Sequence, residues 1–142
     1  MENRSKILLK ETASTRAKYN RNSRWYDIME LPMEWLWYRR WRRRLFARLE
    51  SLPRRTVVQR DKRTLEVGVG TGKNLPFYRD SGWGAGIDFS EGMLSHARPI
   101  ARKQNSVLVQ ADAQQLPFED GVFDAVFATF VFCSVPDPVL GL

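Results

Sequence analysis

Three observations on this 142-residue chain predict an α/β fold with a parallel sheet. Short apolar runs alternate with helix-forming segments from Arg63 onward. A glycine cluster, Gly68-Val69-Gly70-Thr71-Gly72, follows the first of these runs. An acid closes the second run and follows the third, Asp88 and Asp112.

The elements are expected in this order. Residues 64–67 (TLEV) form the first strand, and residues 74–79 a short helix beyond the glycines. Residues 84–88 (GAGID) form the second strand. Ser90 then caps a helix running to about Lys103, its hydroxyl satisfying free N–H groups of the first turn. Residues 107–109 form the third strand, and a turn-rich stretch follows over 116–121. Residues 122–128 are nearly continuous in apolar side chains, as a parallel strand buried on both faces requires.

The region before Arg63 reads differently. Residues 1–14 are polar and aperiodic and are expected to form a flexible tail. Residues 15–62 form a basic helical cap segment, and 63–142 the α/β domain. One helix, or two short ones, is predicted over 15–29, ended by Leu31-Pro32, and another over 33–49. In the latter Met33, Trp37, Trp41, Leu45 and Leu49 recur every four residues, and Leu36 joins that face. Arg39, Arg40, Arg42, Arg43, Arg44 and Arg48 fill much of the rest. Two readings are open: the apolar side packs on the domain with the arginines solvated, or the helix lies on anionic lipid.

Composition sets the bounds. Hydrophobic residues make up 43% and charged residues 27%, which excludes a wholly disordered chain or a fibre. No apolar run is long enough for a transmembrane helix, and Ile7-Leu8-Leu9 is too short for a signal-peptide core. Cys133 is the only cysteine and His96 the only histidine, so no internal disulfide and no metal site is expected. A cytoplasmic location is the expectation. The formal net charge of +7 is uneven: residues 1–63 hold 18 Lys/Arg against 7 Asp/Glu, residues 64–142 hold 5 against 9. The basic half suits an anionic partner such as a membrane surface, a nucleic acid or an acidic ligand.

The glycine loop carries the first chemical signal. Three glycines let the backbone pass close to a ligand, and the helix N-terminus offers N–H groups to a carboxylate or phosphate. A phosphate-binding loop of the G-x-x-x-x-G-K-[ST] type does not fit, because Val67 stands at its first glycine and Asn74 at its Ser/Thr. The dinucleotide fingerprint G-x-G-x-x-G fits poorly, because its third glycine is Lys73. The observed pattern is E-x-G-x-G-x-G, beginning at Glu66. A carboxylate at Asp88 suits both hydroxyls of a ribose. Asp112, with the backbone of Ala113, suits the edge of an adenine. In a parallel sheet these strand ends share one edge, where open α/β folds bind ligands. The set therefore points to a nucleoside.

The segments LEVGVGTGKN, GIDFSEGML, ADAQQLPFEDGVFDAV and FVFCSVPDP resemble class I S-adenosylmethionine-dependent methyltransferases, most of all the type 11 small-molecule group. That group includes phosphatidylethanolamine N-methyltransferase-like and ubiquinone/menaquinone-biosynthesis-like enzymes. The resemblance runs from about Thr15 to the end of the chain. It implies a Rossmann-like doubly wound parallel sheet of strand order 3-2-1-4 with an N-terminal helical segment. It further implies that Glu66, Gly68, Gly70, Thr71 and Gly72 line the methionine part of S-adenosyl-L-methionine. Asp88 would hold the ribose with Phe89 beside the adenine, and Asp112 and Ala113 would meet the adenine edge. Phe130 would lie near the methyl-transfer site, and Tyr19 and Tyr26 would cover the cofactor.

Family members continue past the fourth strand with a helix and further strands, so the domain is expected to be incomplete at its C-terminus, with the fourth strand at an edge. The implied function is methyl transfer to a small molecule or lipid headgroup, a phosphatidylethanolamine-like amine or a quinone precursor. The alternative is a non-catalytic S-adenosylmethionine-binding fragment of a truncated methyltransferase. The implied partners are that acceptor and a peripheral membrane contact through 33–49 at the inner membrane face. Nucleic acid is disfavoured, because Ala128-Thr129-Phe130-Val131-Phe132 lacks the Asn/Asp-Pro-Pro-aromatic element that holds a flipped base. No catalytic base is assigned, and Cys133 is read as a small buried or edge residue rather than a nucleophile.

Overall fold

A computed structural model describes residues 10, 12–21, 38–52, 62–78 and 82–141. Helical turns over 12–21 (α1) precede the helix α2 at Arg39–Ser51. The sheet strands are β1 (Lys62–Val67), β2 (Gly82–Asp88), β3 (Val107–Gln110) and β4 (Ala125–Ala128), with helix α3 (Glu91–Lys103) between β2 and β3. All neighbouring strands run parallel in the order β3-β2-β1-β4. This is the Rossmann-like order expected from the sequence.

Register assigns the two faces. Glu66 pairs with Gly86 and Phe127, and Gly86 with Leu108, so these four point to one side. Leu65 pairs with Ala85 and Val126 and points to the other. The first side is covered by α2 and α3, where Leu49, Leu94, Ala97 and Ala101 pack with Leu75, Tyr78, Ala125 and Phe127. On the second side Leu65, Val67, Ala85 and Ile87 are covered by loop side chains, Phe118, Phe123 and Val131 among them.

The helix ends follow local chemistry. Ser90 Oγ accepts the Met93 N–H at 3.2 Å, the cap expected from the sequence. Ser90 also donates to Asn20 Oδ1 at 2.6 Å, and Asn20 accepts the Gly92 N–H at 3.0 Å, so α1 completes the cap of α3. The C-terminal carbonyls of α2 are met by the Lys62 ammonium, which donates to Leu49 and Leu52.

Four expectations are corrected. The segment after the glycines is a 3-10 turn, Leu75–Phe77, rather than a helix to Arg79, with Pro76 at its start. The fourth strand begins at Ala125, not Val122. Asp124 exchanges two bonds with Arg63, donating its N–H to the Arg63 carbonyl and accepting the Arg63 N–H on its carboxylate, both at 2.8 Å. Phe123 turns aside to pack edge-on against Phe118, ring centres 5.0 Å apart. That strand is also not buried on both faces, since Val126 is 57% exposed. Residues 12–14 are helical rather than part of a tail, and Gln114 Nε2 lies 3.4 Å from Thr12 Oγ1.

The buried stripe of α2 differs from the expected one. Arg42 and Leu49 are buried and Leu45 and Phe46 half-buried, while Trp41 is 55% exposed. Each four-residue step advances about 40° around a helix, so a strict four-residue repeat winds off any one face. The packed stripe runs 42-45-46-49 instead, and Phe46 meets Phe77, Tyr78 and Phe127 at 5.4–5.8 Å. Residues 22–37, with the rest of that repeat and the Leu31-Pro32 break, lie outside the described residues.

Candidate functional site

The C-terminal ends of β1, β2 and β4, the segment following β3, and α1 and α2 surround one cleft. Its floor is the glycine loop. Gly68 and Gly70 adopt φ of +72° and +56°, a left-handed conformation that L side chains resist. Their N–H groups are turned back on the sheet: Gly68 donates to the Ile87 carbonyl at 2.8 Å and Gly70 to Asp88 Oδ2 at 2.9 Å. A Cβ on Gly70 meets no atom within 4 Å, so the cleft is open above it. A Cβ on Gly68 falls 2.1 Å from Val131 Cγ2, so that glycine makes room for the segment after β4.

Asp88 anchors the second strand end. Oδ1 accepts the Ser90 N–H and Oδ2 the Gly70 N–H, each at 2.9 Å. Burial raises its pKa, and these backbone N–H donors oppose the rise. The Phe89 N–H also acts on the carboxylate, and three donors leave part of its acceptor capacity for a ligand. Asp112 is held by its own turn, with Oδ1 accepting the Gln114 N–H at 2.9 Å, and Ala113 stands beside it on the cleft wall.

Glu66 forms the buried end of the cleft. Oε1 accepts from Asn74 Nδ2 at 2.5 Å and Oε2 from the Tyr78 hydroxyl at 2.8 Å. Asn74 also donates to Thr129 Oγ1 at 2.9 Å and accepts from the guanidinium of Arg42. Burial pushes Glu66 up to about 7, against the pull of Asn74, Tyr78 and the Arg42 charge. Burial and the nearby Glu66 in turn raise the Tyr78 phenol. A chain of polar groups thus runs from the inner side of α2 to the first strand end.

The sequence-predicted residues sort as follows. Glu66, Gly68, Gly70, Thr71, Asp88, Phe89, Asp112, Ala113, Phe130 and Tyr19 all line the cleft. Gly72 does not. Its φ is +86°, and a Cβ there falls 2.7 Å from Leu75 Cδ1 and 3.0 Å from Ala97 Cβ, so it serves close packing against α3. Tyr26 lies outside the described residues. Tyr19 reaches across the cleft, its hydroxyl 2.5 Å from Ser134 Oγ and its ring 5.7 Å from Phe89. Cys133 is exposed in the 3-10 turn Phe132–Ser134, not buried.

Sequence reasoning missed Arg42, Asn74 and Thr129. Asn74 carried a signal in standing where a phosphate loop has Ser/Thr. Arg42 carried none, being one of six arginines placed off the apolar face of the helix.

Residues 65–142 match the methyltransferase domain family. A phosphatidylethanolamine N-methyltransferase of Cereibacter sphaeroides is 42% identical over 101 residues, covering 66% of this chain and 50% of its own length. A demethylmenaquinone methyltransferase of Beutenbergia cavernae is 34% identical over 117 residues, covering 82% of this chain and 43% of its own length. The chain therefore spans half the length, or less, of these curated relatives. Among solved structures, the [4+2]-cyclase SpnF aligns at 30% identity with a TM-score of 0.56, over 69% of this chain and 37% of that one. A Haemonchus contortus phosphoethanolamine N-methyltransferase, solved with phosphoethanolamine and S-adenosylhomocysteine, shares the fold at 18% identity and TM-score 0.63, over 88% of this chain and 26% of its own. The chain belongs to the class I S-adenosylmethionine-dependent methyltransferase family.

Proposed function

We propose that this chain binds S-adenosyl-L-methionine in the cleft and takes part in methyl transfer to a small-molecule acceptor. The observation that carries the reading is the convergence of Glu66, Gly70, Asp88 and Asp112 on one cleft at the strand ends. The residues suit the group. The space above Gly70 admits a ligand where a side chain would intrude. Glu66, Asp88 and Asp112 line the cleft beside Arg42 and Lys73, which offers partners to a ligand carrying both signs of charge.

In this reading Asp88 holds the ribose hydroxyls, Phe89 flanks the adenine and Asp112 with Ala113 meets its edge. Glu66, fixed by Asn74 and Tyr78, faces the amino-acid portion. The bound cofactor supplies a methyl group on a sulfonium, already activated for in-line attack. The protein's share is alignment and the exclusion of water. Phe130 stands on the acceptor side, and Tyr19, tied to Ser134, closes over the cleft.

The finer part of the reading is a lipid-headgroup acceptor, an amine of the phosphatidylethanolamine kind or a quinone precursor, met at a membrane surface through 33–49. The exposed face of α2 supports it, with Arg39, Arg40, Arg43, Arg44 and Arg48 exposed beside Trp41. No helix among the described residues is long and apolar enough to cross a membrane, so the contact proposed is peripheral.

The test is calorimetric titration of the chain with S-adenosylhomocysteine, with Asp88→Ala as the comparison. Binding that the variant loses is the expected result. A folded chain that binds nothing overturns the cofactor reading.

A further inference from the structure

Asp88 and Asp112 are fixed by different kinds of donor. Asp88 is gripped by backbone N–H groups of the glycine loop and of the start of α3. Asp112 takes one backbone bond, from the Gln114 N–H to Oδ1 at 2.9 Å, and is otherwise held by a side chain. Gln114 Nε2 lies 3.2 Å from Oδ1 and 3.3 Å from Oδ2, astride the carboxylate. The same nitrogen stands 3.4 Å from Thr12 Oγ1 on α1. Asp112 and Thr12 line the cleft, whereas Gln114 does not.

The arrangement has a cost. Gln114 Oε1 is buried without a hydrogen-bond partner among the described residues. Turning the amide over would set that oxygen against the carboxylate, so the amino end faces Asp112 and the oxygen goes unpaired. The second torsion of an aspartate is broad, so a carboxylate held only by its own turn can rotate. A nitrogen astride both oxygens restricts that rotation. Oδ1 accepts two of these donors and Oδ2 one, which leaves Oδ2 the freer acceptor for a ligand.

We propose that Gln114 is a positioning residue for base recognition. Its amide holds the Asp112 carboxylate in the direction that accepts the 6-amino group of an adenine. A residue outside the cleft thus sets the discrimination between an adenine and a 6-oxopurine. This rests on the cofactor reading above and deepens it at the adenine end.

The test compares calorimetric affinities for S-adenosylhomocysteine and S-inosylhomocysteine, in which a 6-oxo group replaces the 6-amino group. The two share the ribose and amino-acid portions, so their affinity ratio isolates the base edge. We expect the unmodified chain to favour the adenine ligand by about a hundredfold or more, because a site that hydrogen-bonds an N–H rejects an analogue lacking it. Gln114→Met, which keeps the length and removes the amide, should lower the ratio about tenfold. In an Asp112→Ala background the same substitution should leave the ratio unchanged, because Gln114 acts through Asp112. A merely structural role in the turn would lower both affinities together and leave the ratio alone, and that result overturns the proposal. So does a further fall of the ratio in the Asp112→Ala background. In NMR of the unmodified chain at saturation, the Gln114 side-chain amide signals should shift more with the adenine ligand than with its inosyl analogue. Equal shifts overturn the proposal without requiring any variant to fold. Equal binding of the two ligands overturns it and leaves the cofactor reading intact. Binding of neither overturns the cofactor reading, and this inference with it.

Discussion

The two faces of the sheet are finished by different means. On one, α2 and α3 lay continuous helical stripes over Phe127 and Ala125, and Leu75 and Leu94 are at most 1% exposed. On the other, single side chains from loops cover Leu65 and Ile87 and leave Val107 44% and Val126 57% exposed. The helical face also holds the polar chain of Arg42, Asn74, Glu66 and Tyr78, whereas the loop face is apolar. The buried electrostatics of the site therefore reside on the helical face, while both faces hold fully buried apolar side chains, Leu65 and Ile87 among them on the loop face. The cleft opens at the edge where both faces end.

The largest expected effect breaks this asymmetry directly. Leu94→Ala on α3 empties a fully packed position and should cost about 2–5 kcal/mol in urea unfolding. Val126→Ala on the loop face should stay within about 0.5 kcal/mol. Equal costs would mean that Val126 is packed as closely as Leu94.

The second prediction concerns the polar group buried under the helices. Glu66 has a pKa near 4.5 when unfolded and about 7 when folded. Between these values the folded chain keeps a proton that the unfolded chain releases. Its contribution is thus complete below about pH 4.5 and is lost as pH rises through 7, a decline of about 3 kcal/mol. Asp88, also raised by burial, acts in the same direction. Unfolding measured at pH 5 and pH 8 should show the decline, and Glu66→Gln should flatten most of it.

Neighbours on α2 sharpen the comparison further. Arg42→Met leaves Asn74 without its donor and should cost about 1–3 kcal/mol, whereas Trp41→Ala one residue earlier should cost under about 0.5 kcal/mol. Thermal unfolding of the two variants decides whether the helix faces inward as described.

The smallest effect on stability separates two glycines of one loop. Gly70→Ala should cost only the backbone strain of about 1 kcal/mol, because its Cβ points into open space, yet it should weaken S-adenosylhomocysteine markedly. Gly72→Ala should destabilise more, through Leu75 and Ala97, with a smaller change in affinity per unit of stability lost.

Much of the fold and site was legible because its causes are local. Ser90 caps α3 with its own hydroxyl, Gly68 and Gly70 are needed where φ is positive, and Asp88 closes the apolar run that becomes β2. The start of β4 was not legible. Asp124 binds Arg63, a residue 61 positions away, and no pattern within 122–128 reports that bond.

By itself, then, the sequence determined the alternation of strands and helices, the glycine loop, the two strand-end acids and the family. Each depends on residues close together in the chain. Tertiary structure alone decided which stripe of α2 turns inward, that Arg42 reaches the site while Trp41 stays outside, that Gly72 packs on α3, and that Phe130 is held at a φ of +59°. Helical spacing restricts which residues share a face but not which face meets the sheet. That choice comes from contacts with Phe127, Tyr78 and Asn74, brought together only by folding.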